Sequence, residues 1–150
     1  MTAILYRSRA RTGLMAPDLN AIIAASRAWN EPRGLTGLLV YGDMPMVPGA
    51  PGEFVQWVEG PDAEVDAVFG KIHSDRRHYE IEVLARGSVR DLTGGVHPER
   101  LFPSWAMGLV RLGSLPASLQ GFLDFAERWS QDESSTPPRP GEDARGGAER

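Results

Sequence analysis

The chain has 150 residues and a formal net charge of −4, enough length for one compact domain and too little basic excess for the phosphates of a nucleic acid. Its 17 glycines and 12 prolines stand beside an ordinary 41% of hydrophobic residues, which places the excess in the connecting segments of a globular fold. With no cysteine, disulfides, thiolate metal sites, iron–sulfur ligation and cysteine nucleophiles are excluded, and a reducing, cytoplasmic setting is expected.

Residues 2–9 alternate as a strand, with Ile4, Tyr6 and Ser8 on one face and Ala3, Leu5 and Arg7 on the other. After a loop containing Gly13 and Pro17, Asp18 is the expected N-cap of a helix of about a dozen residues, striped by Leu19, Ile22 and Ile23 and stopped by Pro32. Steps of four set Ile22, Ser26 and Asn30 along one of its faces. Residues 34–41 and 53–59 read as the second and third strands. The segment GDMPMVPGAPG between them is too long and proline-rich for a tight hairpin.

Pro61 is expected at the first position of a second helix, with Asp62 and Glu64 in its first turn and Val65, Val68, Phe69 and Ile72 on its buried face. A fourth strand follows at 78–85, then a long connection containing the loop 94–103. A fifth strand at 105–111 sets Trp105, Met107 and Leu109 on one side. Pro116 opens a third helix ending near Trp129, striped by Leu119, Phe122, Leu123 and Ala126. Residues 131–150 are too poor in apolar side chains to offset the entropy of ordering and are expected to be a disordered tail. No eighteen apolar residues run together and no export signal opens the chain, so no membrane partner is expected.

The order βαββαββα describes an α+β fold. Its first six elements match a ferredoxin-like βαββαβ unit, with an added fifth strand, two helices on one sheet face and a C-terminal helix. Four residues in three elements break their own patterns. Gln56 shares a strand face with Phe54 and Val58; Ser26 and Asn30 continue the Ile22 stripe in polar groups; Tyr6 lies between Ile4 and Ser8. Taken singly, backbone-satisfied amides, helix-end chemistry and a buried tyrosine with a local partner account for them. Taken together, they surround the cleft between the two helices, with Ile22 and Ile72 as walls and Tyr6 and Gln56 in the floor. Such a cleft suits a planar heteroaromatic ring with donors and acceptors along one edge.

These residues fall in motifs that resemble the BLUF photoreceptors, blue-light sensors using FAD, over roughly residues 3–112. The motifs are Tyr6 and Ser8 in LYRS; Asn30, Thr36 and Gly37 in NEPRGLTG; Phe54, Gln56, Glu59 and Gly60 in FVQWVEG; Asp75, Arg76, Arg77 and His78 in DRRH; and Trp105 and Met107 in SWAMG. The resemblance implies a light switch and not an enzyme. Residues 1–112 would be the flavin-binding photosensor domain, 113–130 a C-terminal helical extension and 131–150 the tail.

By resemblance, Ile22 and Ile72 clasp the isoalloxazine, and Asn30 bonds its O4/N3 edge. Ser26, Asp75, Arg77 and His78 surround the ring and ribityl chain, and Leu39 and Phe54 line the pocket. Electron and proton transfer from Tyr6 and rearrangement of the Gln56 amide would then be sensed by Trp105 and Met107. Only an amide offers a donor and an acceptor on one rotatable group. Trp29 stands where relatives often carry a polar residue, and the connections at 42–53 and 86–103 are long.

The remaining motifs carry less. His73 and His78 are five apart across a helix end, and His97 lies in a distant loop, which is poor spacing for a metal. Glu59, Asp62 and Glu64 read as acidic residues at a helix start, and Arg76 and Arg77 as cations past a helix end. No G-x-G-x-x-G follows a strand, so FAD phosphates would lie at the surface, and FMN or riboflavin would be tolerated. The other readings are a flavin-free, non-photoactive interaction module on the same fold and a small acylphosphatase-type enzyme. The retained Tyr6, Asn30 and Gln56 weigh against the first, and the lack of a phosphate cradle or activated nucleophile against the second. Output is expected through a downstream protein and a homo-oligomer, with the third helix either packed back on the open sheet face or in a dimer contact.

Overall fold

A computed structural model of the chain describes residues 1–11, 14–43, 52–111 and 115–135. The elements run β1 (Thr2–Ala10), α1 (Ala16–Asn30), a 3-10 turn (Glu31–Arg33), β2 (Thr36–Asp43), β3 (Glu53–Gly60), α2 (Asp62–Ser74), β4 (His78–Ser88), α3 (Val89–Leu92), β5 (Trp105–Arg111) and α4 (Leu119–Ser135). One five-stranded sheet has the order β4-β1-β3-β2-β5, antiparallel except for the parallel pair β2–β5. The first four strands have the ferredoxin-like arrangement, and β5 extends it beside β2.

The inner strands β1, β2 and β3 are buried along nearly their whole length, with cover on both faces, while the edge strand β4 is partly or fully exposed throughout. Ile4, Tyr6 and Val58 pack on one side with Val65 and Val68 of α2, and Ile22 of α1 packs with Leu39, Tyr41, Phe54 and Trp105 on that same side. On the other side Leu5, Leu38, Val40, Val55 and Trp57 pack with Phe122 and Ala126 of α4. The Trp57 and Phe122 rings are parallel, 5.8 Å apart. Of the two expected positions of the third helix, α4 takes the open sheet face. Two glycines permit close approaches. A Cβ on Gly37, at φ 153°, would lie 2.0 Å from the Trp57 carbonyl oxygen, and one on Gly108 would lie 2.5 Å from the Trp129 ring.

Several boundaries differ from the sequence reading. α1 begins at Ala16, so Asp18 is not its N-cap; it sits in the first turn, where its carboxylate accepts the Met15 N–H at 2.7 Å. Pro17 is accommodated because first-turn N–H groups have no intrahelical partner. Pro61 is the cap residue of α2 rather than its first helical residue. β2 starts at Thr36 because the chain first turns through Gly34, at φ 67°. β4 extends to Ser88, since Arg86, Gly87 and Ser88 pair with Ile4, Ala3 and Thr2.

The connection after β4 holds the unanticipated α3, capped by Ser88, whose Oγ accepts the Asp91 N–H at 3.1 Å. α4 starts at Leu119 and continues to Ser135, into the segment expected to be tail. Leu109 shares a strand face with Trp105 and Met107 but is 59% exposed, beyond the cover of α1. Most of the connection between β2 and β3, and the remainder of the expected tail, lie outside the described residues. Among the described residues no helix is long and apolar enough to cross a membrane.

Candidate functional site

Strand register assembles the floor of the site. Tyr6 is directly opposite Gln56, Gln56 opposite Leu39, and Leu39 beside Met107, so one row of side chains crosses four strands on the face covered by α1 and α2. The next row carries Ser8, Phe54 and Tyr41, and Trp105 lies one row to the other side, beside Gly37. Helical spacing brings Ile22, Ser26 and Asn30 over this floor from α1, and Ile72 from α2.

The cleft between the helices is lined by Tyr6, Ile22, Ser26, Leu39, Phe54, Gln56, Ile72, Asp75, Arg77 and His78. An adjoining cavity shares Ser26, Gln56, Ile72, Asp75 and Arg77 and adds Asn30, Trp29 and Lys71. The structure thus gathers the nine side chains expected to hold the ring, together with Tyr6 and Gln56. Trp105 and Met107 do not line the cleft; they pack behind it against Ile22, Leu39 and Phe54.

Tyr6, Gln56, His78, Asp75 and Arg77 are each oriented in the cleft by a definite partner. The Tyr6 hydroxyl donates to Gln56 Oε1 at 2.7 Å, with both residues buried. Burial, helped by the negative charge of Asp75, pushes the phenol pKa far above its ordinary value, so Tyr6 keeps its proton and donates it. With Oε1 engaged, the Gln56 NH2 is the end of the amide left to serve a ligand. His78 is held from both sides: Nε2 is 2.7 Å from the Ile72 carbonyl oxygen and Nδ1 2.7 Å from Ser8 Oγ. A carbonyl oxygen only accepts, so His78 Nε2 carries a hydrogen and donates it to Ile72. The imidazole is set edge-on to Phe54, 6.1 Å between centroids.

At the C-terminal end of α2 the Arg77 guanidinium grips Asp75 through Nε at 2.9 Å and Nη2 at 2.6 Å. Burial alone would raise the Asp75 carboxyl; the hydrogen bonds and charge of Arg77 outweigh it and hold the pKa below the ordinary value. The same bonds raise that of Arg77. Asp75 and Arg77 are therefore a fixed pair, not free helix-end charges, while Arg76 is exposed.

Glu59 departs from its reading as part of an acidic helix start. It lies within β3, one residue before its end, with no exposure, and its carboxylate accepts the N–H groups of Leu101 and Phe102 and the Thr36 hydroxyl. It ties the segment before β5 to the sheet. The site residues missed from the sequence are Lys71 and Phe69, whose ring is 5.9 Å from that of Tyr6. Phe69 was legible only as part of an apolar stripe, and Lys71 carries no linear signal.

Asn30 is 2% exposed, and its Oδ1 has no hydrogen-bond partner. A buried acceptor without a donor costs free energy unless a ligand supplies one. The pyrimidine edge of an isoalloxazine carries an N–H between two carbonyls, and its flat body suits the apolar walls of Ile22, Ile72, Leu39 and Phe54, so these residues fit a flavin.

A family model described as BLUF, sensors of blue-light using FAD, matches residues 1–108. The chain belongs to the BLUF family. Among solved structures, the dark state of the BLUF protein BlrB is 33% identical, covering 73% of this chain and 71% of that one with a TM-score of 0.58. The photo-activated state of BlsA is 28% identical over 75% of this chain and 71% of that one, at a TM-score of 0.59. Klebsiella pneumoniae BlrP1, solved with FMN and cyclic diGMP, is 25% identical over 85% of this chain but only 29% of its own length, at a TM-score of 0.58. No curated protein sequence gave a significant match. The five-stranded α+β architecture of the chain is that of these BLUF neighbours, and the family is one of blue-light flavin sensors.

Proposed function

We propose that the chain is a blue-light receptor that binds FAD in the cleft between α1 and α2 and responds to light by rearranging the Tyr6–Gln56 hydrogen bond. The orphaned Oδ1 of buried Asn30, at one side of a cleft floored by that hydrogen bond, carries this reading. Ile22 and Ile72 hold the ring faces, and Asn30 reads the N3 edge. Ser26, Asp75, Arg77 and His78 surround the ring and ribityl chain, while Leu39 and Phe54 exclude water. FMN or riboflavin would be tolerated, because these contacts are all to the ring and its immediate chain.

When bound, the flavin supplies blue-light absorption and an excited state able to accept an electron. Tyr6 is the oxidisable residue in contact with Gln56, and the 2.7 Å hydrogen bond gives its proton a path along the amide. Gln56 then turns or changes tautomer, exchanging which end of the amide meets Tyr6 and which meets the ring without moving a net charge. Met107 shares the cross-strand row of Gln56, two strands away, and Trp105 packs beside that row. β5 passes the change to α4 and on to a partner protein, with the chain acting as a homo-oligomer. Tyr6→Phe is expected to retain FAD and lose the light-induced absorption shift. A normal photocycle in that variant would overturn the assignment.

A further inference from the structure

Trp29, next to last in α1, carries two cations over its indole ring: Arg33 Cζ lies 3.6 Å and Lys71 Nζ 3.8 Å from the ring centroid. Lys71 belongs to α2, so the contact joins the two helices that flank the cleft. Arg33 reinforces the join, donating from Nη1 to the Trp29 carbonyl oxygen at 2.9 Å and pairing with Glu64 of α2 at 3.8 Å. Trp29 and Lys71 line the same cavity as Asn30 and Ile72. The lysine is exposed, and its charge has no need of an indole for solvation; placed on the ring, it links α1 to α2.

We infer that Trp29, Arg33 and Lys71 form an interhelical clasp that sets how fast a bound flavin leaves the cleft. The inference rests on the flavin reading above. A ring held between Ile22 and Ile72 escapes as the two helices part, and parting them separates Lys71 from Trp29 and strains the Arg33–Glu64 pair. A cation over an indole is stabilising enough to change such an opening equilibrium several-fold, and more where the contact is shielded from water. Trp29 and Lys71 are therefore positioning residues: they touch each other, and they act on the flavin by keeping its walls together.

The test is the rate at which FAD is released in the dark, followed by the rise in flavin fluorescence when loaded protein is diluted. Lys71→Met is expected to speed release about fivefold and Trp29→Leu by a similar factor. The double variant should be no faster than either single one, and Lys71→Arg, which restores a cation, should release at the wild-type rate. Since Lys71 is exposed, Lys71→Met decides the matter even if Trp29→Leu fails to fold. Release from Lys71→Met within twofold of wild type overturns the clasp and leaves the flavin reading standing. A wild-type protein that takes up no FAD overturns the flavin reading, and the clasp with it.

Discussion

At the residue scale, the buried carboxylate of Glu59 shows how a single side chain can tie a connection to the sheet. Burial raises its pKa above the ordinary carboxylate value, and the N–H groups of Leu101 and Phe102 and the Thr36 hydroxyl only partly oppose this. The folded chain therefore keeps a proton that the unfolded chain has lost, over a window that begins at the ordinary value and ends at the raised one. Stability falls as pH rises through that window. The melting temperature of the wild type is expected to decline there, and Glu59→Gln, which cannot titrate, should lose that slope. Asp75 acts in the opposite sense: its lowered pKa gives stability that is present above the ordinary value and lost as pH falls through the lowered one. The two windows lie on either side of the ordinary carboxylate value, so melting curves taken across pH separate them. Glu59→Ala leaves two buried N–H groups without an acceptor and is expected to cost about 3 kcal/mol in urea unfolding.

At the element scale, β5 and α4 are joined where Gly108 admits the Trp129 ring. Gly108→Ala would place a Cβ 2.5 Å from that ring, and the strain is expected to cost about 1–3 kcal/mol. Thermal unfolding measures it, and Trp129→Ala in the same chain should recover part of the loss. The strands and the buried face of α2 were legible because period-2 and period-3.6 patterns are local. The ends of elements were less so: β4 runs on to Ser88 because β1 begins at Thr2, a fact about its partner strand. α3 has a capping serine but too few residues to show a period. In the site, Tyr6, Gln56 and Asn30 stood out as polar breaks in apolar patterns. The pairings Trp29–Lys71, Glu59–Leu101 and Gly108–Trp129 did not, because each joins segments that only the folded sheet brings together.

At the scale of the whole molecule, one sheet separates two buried layers, and β5 contributes to both. Trp105 and Met107 face the layer under α1, while Ala106 and Val110 face the layer under α4. A chain ending at Leu112 would uncover Leu38, Val40, Val55 and Trp57. It is expected to self-associate and to unfold at a lower temperature, as read by light scattering and calorimetry; a truncated chain matching the full one in both would contradict this role for α4. The central claim, that Tyr6 and Gln56 form a light-driven switch around a flavin, is tested most directly by absorption spectra of the FAD-loaded protein in the dark and immediately after blue illumination. The account predicts a small red shift that reverses in darkness. A flavin spectrum that light leaves unshifted, or a protein that takes up no FAD, would contradict it.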